Sequence, residues 1–185
     1  MMSKTQAEKL LKKYLKKYPG LIRHSEQCAK LAKKVAEKID QKHPKLKLNV
    51  HKIEVAALLH DIGRFYENTN DYLHFEIGYQ ILKNLGYKNL GEIIKTHADA
   101  ERRAKYFGLK GNYKNKTIEQ KIITYCDNHV GQNGFESDKE RIQDILKRRG
   151  MTNFIEKIVM PYKRNESKVI NQEIERLMGC SGKEL

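Results

Sequence analysis

The run LLHDIGRF, residues 58 to 65, sets a histidine, an aspartate and an arginine at the end of an otherwise apolar helical stretch. An ionisable group buried without a partner costs several kcal/mol or changes protonation, so His60 and Asp61 must be exposed, ion-paired or bound to a metal ion. The rest of the chain poses the same question elsewhere. Residues three, four and seven apart share one face of a helix. By that test His24 lies in line with Cys28, Leu31 and Val35, and His60 continues Ile53, Ala56 and Ala57. His74 leads Ile77, Ile81 and Leu85, His97 follows Ile93 and Ile94, and Asp127 lies between Ile123 and Val130. Asp61 sits about 100 degrees around the helix from His60, so both can face one point. A single histidine on an apolar face is ordinarily a satisfied core residue. Four histidines and two aspartates on five helices, all pointing inward, would form a costly polar cluster unless something bound it. A divalent metal ion is the economical occupant. Imidazole nitrogen and carboxylate oxygen, without thiolate, suit Fe, Mn, Zn, Ni or Co, and an aspartate can bridge two ions.

The remaining histidines separate by the same test. His43 precedes Pro44 in a basic loop and is expected exposed, while His51 lies on a mixed face near a helix start. Neither is a candidate ligand. His129 falls in line with Ile122, Tyr125 and Cys126, and is either a packed residue or one that supports the ligands or borders the substrate.

Helical periodicity dominates the elements that must position these groups, with three prolines and no sustained alternation of the kind a half-buried strand shows. The expected fold is all-α. Helices are expected at about residues 4 to 17, 21 to 39, 74 to 85, 89 to 100, 117 to 130, 137 to 149 and 166 to 178. Another, with Asn49 as its N-cap and Gly63 at its exit, carries the His-Asp pair. Residues 66 to 73 read as a polar loop, and 105 to 116 as the longest loop.

A chain of 185 residues with no linker or repeat fits one domain. Its parts are a basic N-terminal helix (about 1 to 19), a core (about 20 to 150) and a helical C-terminal extension (about 151 to 185). No apolar run approaches a bilayer span, and the lysine-rich start lacks the layout of a secretory signal, so a cytoplasmic protein without a membrane partner is expected. Cys28, Cys126 and Cys180 are too few and too far apart for a disulfide framework and are expected to be core thiols. The formal charge of +14 is concentrated in residues 1 to 52, which hold 15 Lys and Arg against 4 acids. Such an excess can mark a nucleic-acid surface, but 28 of the 37 cations are lysines with few interleaved aromatics, which fits a solvated helix face equally well.

The ordered set of an early histidine (His24), a His-Asp pair (His60 and Asp61) and a late aspartate (Asp127) resembles the HD-domain superfamily of metal-dependent phosphohydrolases. The segments HFEIGYQILKNLG and IIKTHAD are similar to the two-histidine insert of its dinuclear members, and IEQKIITYCDNHV to its late aspartate helix. The likeness spans about residues 20 to 150 and is strongest to small stand-alone HDIG-type proteins of archaeal kind. The chain departs from the pattern at Cys126, where alanine is common, and at His129, where an apolar residue is common, and no GYP signature follows HDIG.

The resemblance implies a single HD-type helical bundle. It also implies that one ion takes His24, His60, Asp61 and Asp127, with Asp61 bridging to a second held by His74 and His97. The implied reaction is two-metal hydrolysis of a small phosphorylated substrate, most simply a nucleotide, with Arg64 donating to the phosphate. A surface ion pair with Glu67 is the plainer role for Arg64; Lys95 or Arg103, near His97, would add positive charge at the mouth of the site, with solvated surface the plainer reading for both. Two other functions fit: an HD-type di-iron oxygenase using the same ligands, and a metal-stabilised nucleic-acid-binding module working through the N-terminal lysines.

Overall fold

The computed structural model describes residues 1–65, 71–131 and 134–185. Local signals start most of its helices. Helix α1 (Lys4–Leu15), α7 (Ile118–His129) and α8 (Asp138–Arg149) each begin with a reciprocal capping box, from Ser3 and Gln6, Thr117 and Gln120, and Ser137 and Glu140. Helix α2 (Pro19–Lys42) opens on a proline, whose missing N–H costs nothing in a first turn. Helix α3 (Val50–Leu59) is capped by the Asn49 side chain, which accepts from Lys52 N at 2.9 Å. Helices α4 (His74–Asn84), α5 (Lys88–Ile94) and α6 (Ala100–Tyr106) precede α7; α9 (Met160–Arg164) and α10 (Glu166–Met178) end the chain. The only strands among the described residues are a small antiparallel pair, β1 (Val130–Gly131) and β2 (Gly134–Phe135), with Val130 opposite Phe135. The all-α expectation is met.

Helix α3 is the hub. Its residues from Ile53 to Leu59 are all buried, between α1, α2, α5 and α7. Its one acid there, Glu54, pairs with Lys4 at 2.8 Å, and α1 buries Ala7, Leu11 and Leu15 against the same hub. Helix α10 closes the bundle over α2 and α7 with Ile170, Ile174 and Met178. No helix among the described residues is long and apolar enough to cross a membrane.

Three departures from the expected elements bear on the site. Helix α3 stops at Leu59, and the chain tightens into a 3-10 turn over Ile62–Phe65, with Arg64 N donating to Asp61 O at 2.9 Å. Helix α5 ends at Ile94 instead of continuing to about residue 100. The Thr96 hydroxyl donates back to Ile93 O at 3.1 Å, and Ala98 takes a φ of +49°, a left-handed conformation that costs a β-carbon residue about 1 kcal/mol. His97 therefore projects from a turn. In the third, the stretch before α10 is helical, and a π turn at Ile155–Val159 leads into α9. There Met160 N bonds Ile155 O, five residues back, and the widened turn accommodates Pro161, which has no N–H to give. Of the loop expected at 66 to 73, residues 66–70 lie outside the described residues, and Asp71–Leu73 form a 3-10 turn.

Gly63 sets how closely α4 approaches the His-Asp turn. A β-carbon there would lie 2.7 Å from Gly78 N and closer still to His74 O. Two backbones meet where only glycine fits. Gly63→Ala is expected to lower stability by about 2 kcal/mol, read from a urea midpoint, by forcing α4 and its first residue, His74, off the turn.

Candidate metal centre

The six residues of the sequence pattern converge on one point in the bundle. His24 comes from α2, His60 and Asp61 from the end of α3, and His74 from the start of α4; His97 comes from the turn after α5, and Asp127 from α7. The rings form a continuous row: His24 to His60 at 5.3 Å between centroids, His60 to His97 at 5.2 Å, and His97 to His74 at 4.9 Å.

Backbone carbonyls fix two of the ring orientations. His60 Nδ1 lies 2.7 Å from Ala57 O, and His97 Nδ1 makes a short contact with Ile94 O. A carbonyl can only accept, so each Nδ1 carries the proton and each Nε2 presents a lone pair inward. The His60 lone pair faces two carboxylates, Asp61 Oδ2 and Asp127 Oδ1, each at 3.6 Å, and this fully buried nitrogen makes no hydrogen bond. His97 Nε2 is 2.9 Å from His74 Nε2, and His74 Nε2 is 3.3 Å from Asp61 Oδ1. His24 Nε2 is 3.1 Å from Asp127 Oδ1. Lone pairs and carboxylate oxygens aimed at one another repel unless a cation stands between them.

The titration of these groups follows from that geometry. Burial works to raise Asp61, but the Arg64 guanidinium and the neighbouring imidazoles hold its carboxyl well below the usual range. Burial opposes ionisation of Asp127 too, and the hydrogen bond with His24 together with the neighbouring His60 imidazole overcomes it. Burial disfavours a charge on His60, yet Asp61, Asp127 and the Ala57 carbonyl lift it to about 9. His74 goes the other way, pushed well below an ordinary histidine by burial and then by Arg64. The cluster holds two ionised carboxylates and seeks a cation at His60.

A divalent metal ion fits this donor set. His24, Cys28, His60 and Asp127 offer ligand atoms within 4.8 Å of one another, and so do His60, Asp61 and His97. Cys28 is the weak member. Burial and the Asp127 charge push its thiol well above its usual value, so it stays protonated, 3.6 Å from His24 Nε2. The remaining N and O donors match Fe, Mn, Zn, Ni or Co.

Other candidates fall in varied places. Arg64 Nε contacts Asp61 Oδ1 at 2.6 Å and lines a cavity of about 750 Å³ together with His24, Asp61 and Asp127. The pairing with Glu67 lies outside the described residues. Arg103, expected at the solvated surface, is buried at the cavity wall and pairs with Asp99 at 2.6 Å. It also donates to Tyr72 O at 3.5 Å and stacks over Phe154 at 5.3 Å. Lys95 likewise is not solvated: it bonds Glu92 at 2.7 Å and covers the Tyr79 ring at 4.6 Å. His129 is not brought to the cluster. Its Nδ1 donates to Glu136 O at 2.8 Å and its ring stacks on Phe135. His43, expected exposed, is half-buried because its Nε2 meets Leu177 O at 3.1 Å.

Sequence reasoning missed the opposite wall of the cavity, where Asn128, Arg141, Tyr162 and Lys163 stand. Lys163 lies four residues beyond Val159, but Pro161 between them interrupts the helical pattern that the stripe test needs.

The family model described as HD domain matches residues 21–130, more than half of the chain. The chain belongs to the HD domain family. All six clustered residues lie inside the matched segment, whereas Arg141, Tyr162 and Lys163 of the HD domain's cavity lie beyond it. HD domains form a metal-dependent hydrolase superfamily and bind divalent ions, in keeping with the donor set found here. No curated protein and no solved structure matches the chain.

The raised His60 value gives a pH signature for the metal-free HD domain. An imidazole at about 9 in the fold against about 6.5 unfolded stabilises the protein fully below pH 6.5 and not at all above pH 9. Lys163, lowered by burial to about 8, works in the opposite sense only above that pH. Urea midpoints in chelator should therefore fall between pH 6.5 and 8, by about 2 kcal/mol in stability, and the fall should vanish in His60→Asn. A flat profile in the metal-free wild type would refute the charge assignment.

Proposed function

We propose that this HD domain is a metal-dependent phosphohydrolase that cleaves a small phosphate ester at a dinuclear centre. One ion would be held by His24, His60 and Asp127 and the other by His74 and His97, with Asp61, 3.6 Å from His60 and 3.3 Å from His74, available to each. The observation that carries the reading is the His60 lone pair, buried and unbonded between two ionised carboxylates beside a cavity that also exposes Arg64. Bound ions would lower the pKa of a coordinated water and polarise phosphoryl oxygens.

The chain's own residues supply the rest. The Ala57 and Ile94 carbonyls lock the tautomers of His60 and His97, so both rings are preorganised to ligate. Arg64 neutralises Asp61 through Nε and lines the cavity, where a planar guanidinium matches the geometry of phosphate oxygens. Burial of His60, Asp61, His74 and His97 excludes bulk water from the ligands' far side. A cavity of about 750 Å³ suits a small molecule such as a nucleotide better than a nucleic-acid strand. The di-iron oxygenase reading shares these ligands; the cationic cavity favours a phosphorylated substrate.

The test is hydrolysis of p-nitrophenyl phosphate and of bis(p-nitrophenyl) phosphate by protein reconstituted with manganese. Turnover should need the metal, continue without dioxygen, and fall at least about 100-fold in kcat for Asp61→Ala. Arg64→Ala should act chiefly on KM, as expected for a contact made equally in ground and transition states. Full activity in Asp61→Ala would refute the assignment.

A further inference from the structure

The cavity's far wall is built for a second anion. Lys163 on α9 is only 8% exposed, yet none of its hydrogen bonds or ion pairs among the described residues goes to a carboxylate. Its Nζ donates to Asn128 Oδ1 at 2.7 Å, which uses one of three ammonium donors. A buried charge so thinly partnered is costly, and it faces the same cavity as the metal cluster.

The surroundings hold it in place. Asn128, itself buried, donates to Tyr162 OH at 3.2 Å and to Asn171 Oδ1 at 3.4 Å, and Asn171 donates to Asp138 Oδ1 at 2.9 Å. The side chains of Asn128, Tyr162 and Asn171 are thereby committed to one another and to Asp138, while the ammonium has donors to spare. Asn128 follows Asp127, so this wall adjoins the ligand cluster. Arg23, next to His24 on α2, lines the cavity, exposed and without a carboxylate partner among the described residues, and Arg141 on α8, already paired with Asp144 at 3.3 Å, adds a further cation. Among the other arginines that line the cavity, Arg64 is paired to Asp61, Arg103 to Asp99 and Arg148 to Asp144.

We infer that the substrate carries a second phosphoryl group, held at Lys163 with Arg23 and Arg141 while the first lies at the metal cluster. This inference rests on the phosphohydrolase reading, and it draws on residues 141 and 163, outside the segment shared with the family. A single phosphate at the metal cluster would leave Lys163 desolvated and unpaired. A second one, contiguous as in a pyrophosphate or separated by a carbon spacer, gives the ammonium its missing acceptors.

The experiment is calorimetric titration of the manganese-loaded protein with orthophosphate, pyrophosphate, and linear alkyl monophosphates paired with their α,ω-bisphosphates of two to six carbons. At least one doubly phosphorylated probe should bind about tenfold tighter or more than its singly phosphorylated counterpart. Pyrophosphate gaining alone indicates a contiguous chain; a bisphosphate gaining alone indicates separated groups. Lys163→Met should reduce that ratio to about one, and Lys163→Arg should restore much of it. A wild-type ratio near one for every pair overturns the inference, even if p-nitrophenyl phosphate is turned over and the hydrolase reading stands. A ratio unchanged in Lys163→Met overturns it too, since it would reduce the lysine to a general field. Should Lys163→Met not fold by circular dichroism, the wild-type ratio and its decline in the exposed-site variant Arg23→Gln decide the matter. Loss of p-nitrophenyl phosphate turnover with the ratio intact would count against the hydrolase reading alone.

Discussion

The approach of the His60 Nε2 lone pair to Asp61 and Asp127 governs how the rest of the bundle is arranged. An imidazole lone pair with two carboxylate oxygens each 3.6 Å from it, nearly sealed from water, is unfavourable unless a cation joins them. Each flanking element serves that contact. The Ala57 carbonyl fixes which His60 nitrogen faces inward, and Gly63 lets α4 close over the turn. The left-handed Ala98 aims His97 back toward the cluster while Asp99 holds Arg103. In metal-free protein a proton on His60 can fill the role, at the expense of a pH-dependent fold.

The hub helix explains how so polar a cluster is tolerated. Helix α3 is apolar for almost its whole length and is enclosed by α1, α2, α5 and α7, so the ligands at its end stand on a rigid support. Rigidity is what a preformed site requires, because ligands that must move into place weaken both ion binding and catalysis. The second wall, from α8 and α9, belongs to a smaller apolar cluster of Phe154, Ile155, Ile158, Val159 and Met160 packed on Ile142, Ile145 and Leu146. The cavity thus lies between the segment matched by the family model and the part of the chain that follows it.

Much of this was legible in the sequence, for a definite reason. A histidine or aspartate on an apolar stripe conflicts with the pattern around it, and His24, His60, His74, His97 and Asp127 each showed that conflict. What stayed hidden depended on backbone detail. The turn that carries His97 follows from a threonine hydroxyl bonding backwards and an alanine at positive φ, neither of which periodicity records. The wall with Lys163 was obscured because Pro161 interrupts the helical pattern and the π turn that accommodates it shifts the phase. Arg103 and Lys95 were misjudged because a cation near a helix end looks solvated until its carboxylate and aromatic partners are known.

The proposed chemistry needs two metal ions in the buried His/Asp cluster. Anomalous diffraction from crystals of manganese-loaded protein, recorded at the metal edge, tests it most directly. Two peaks are predicted, one among His24, His60 and Asp127 and one beside His74 and His97, with Asp61 between them. A single peak would contradict the dinuclear centre, and no peak within the cluster would contradict the metal site altogether.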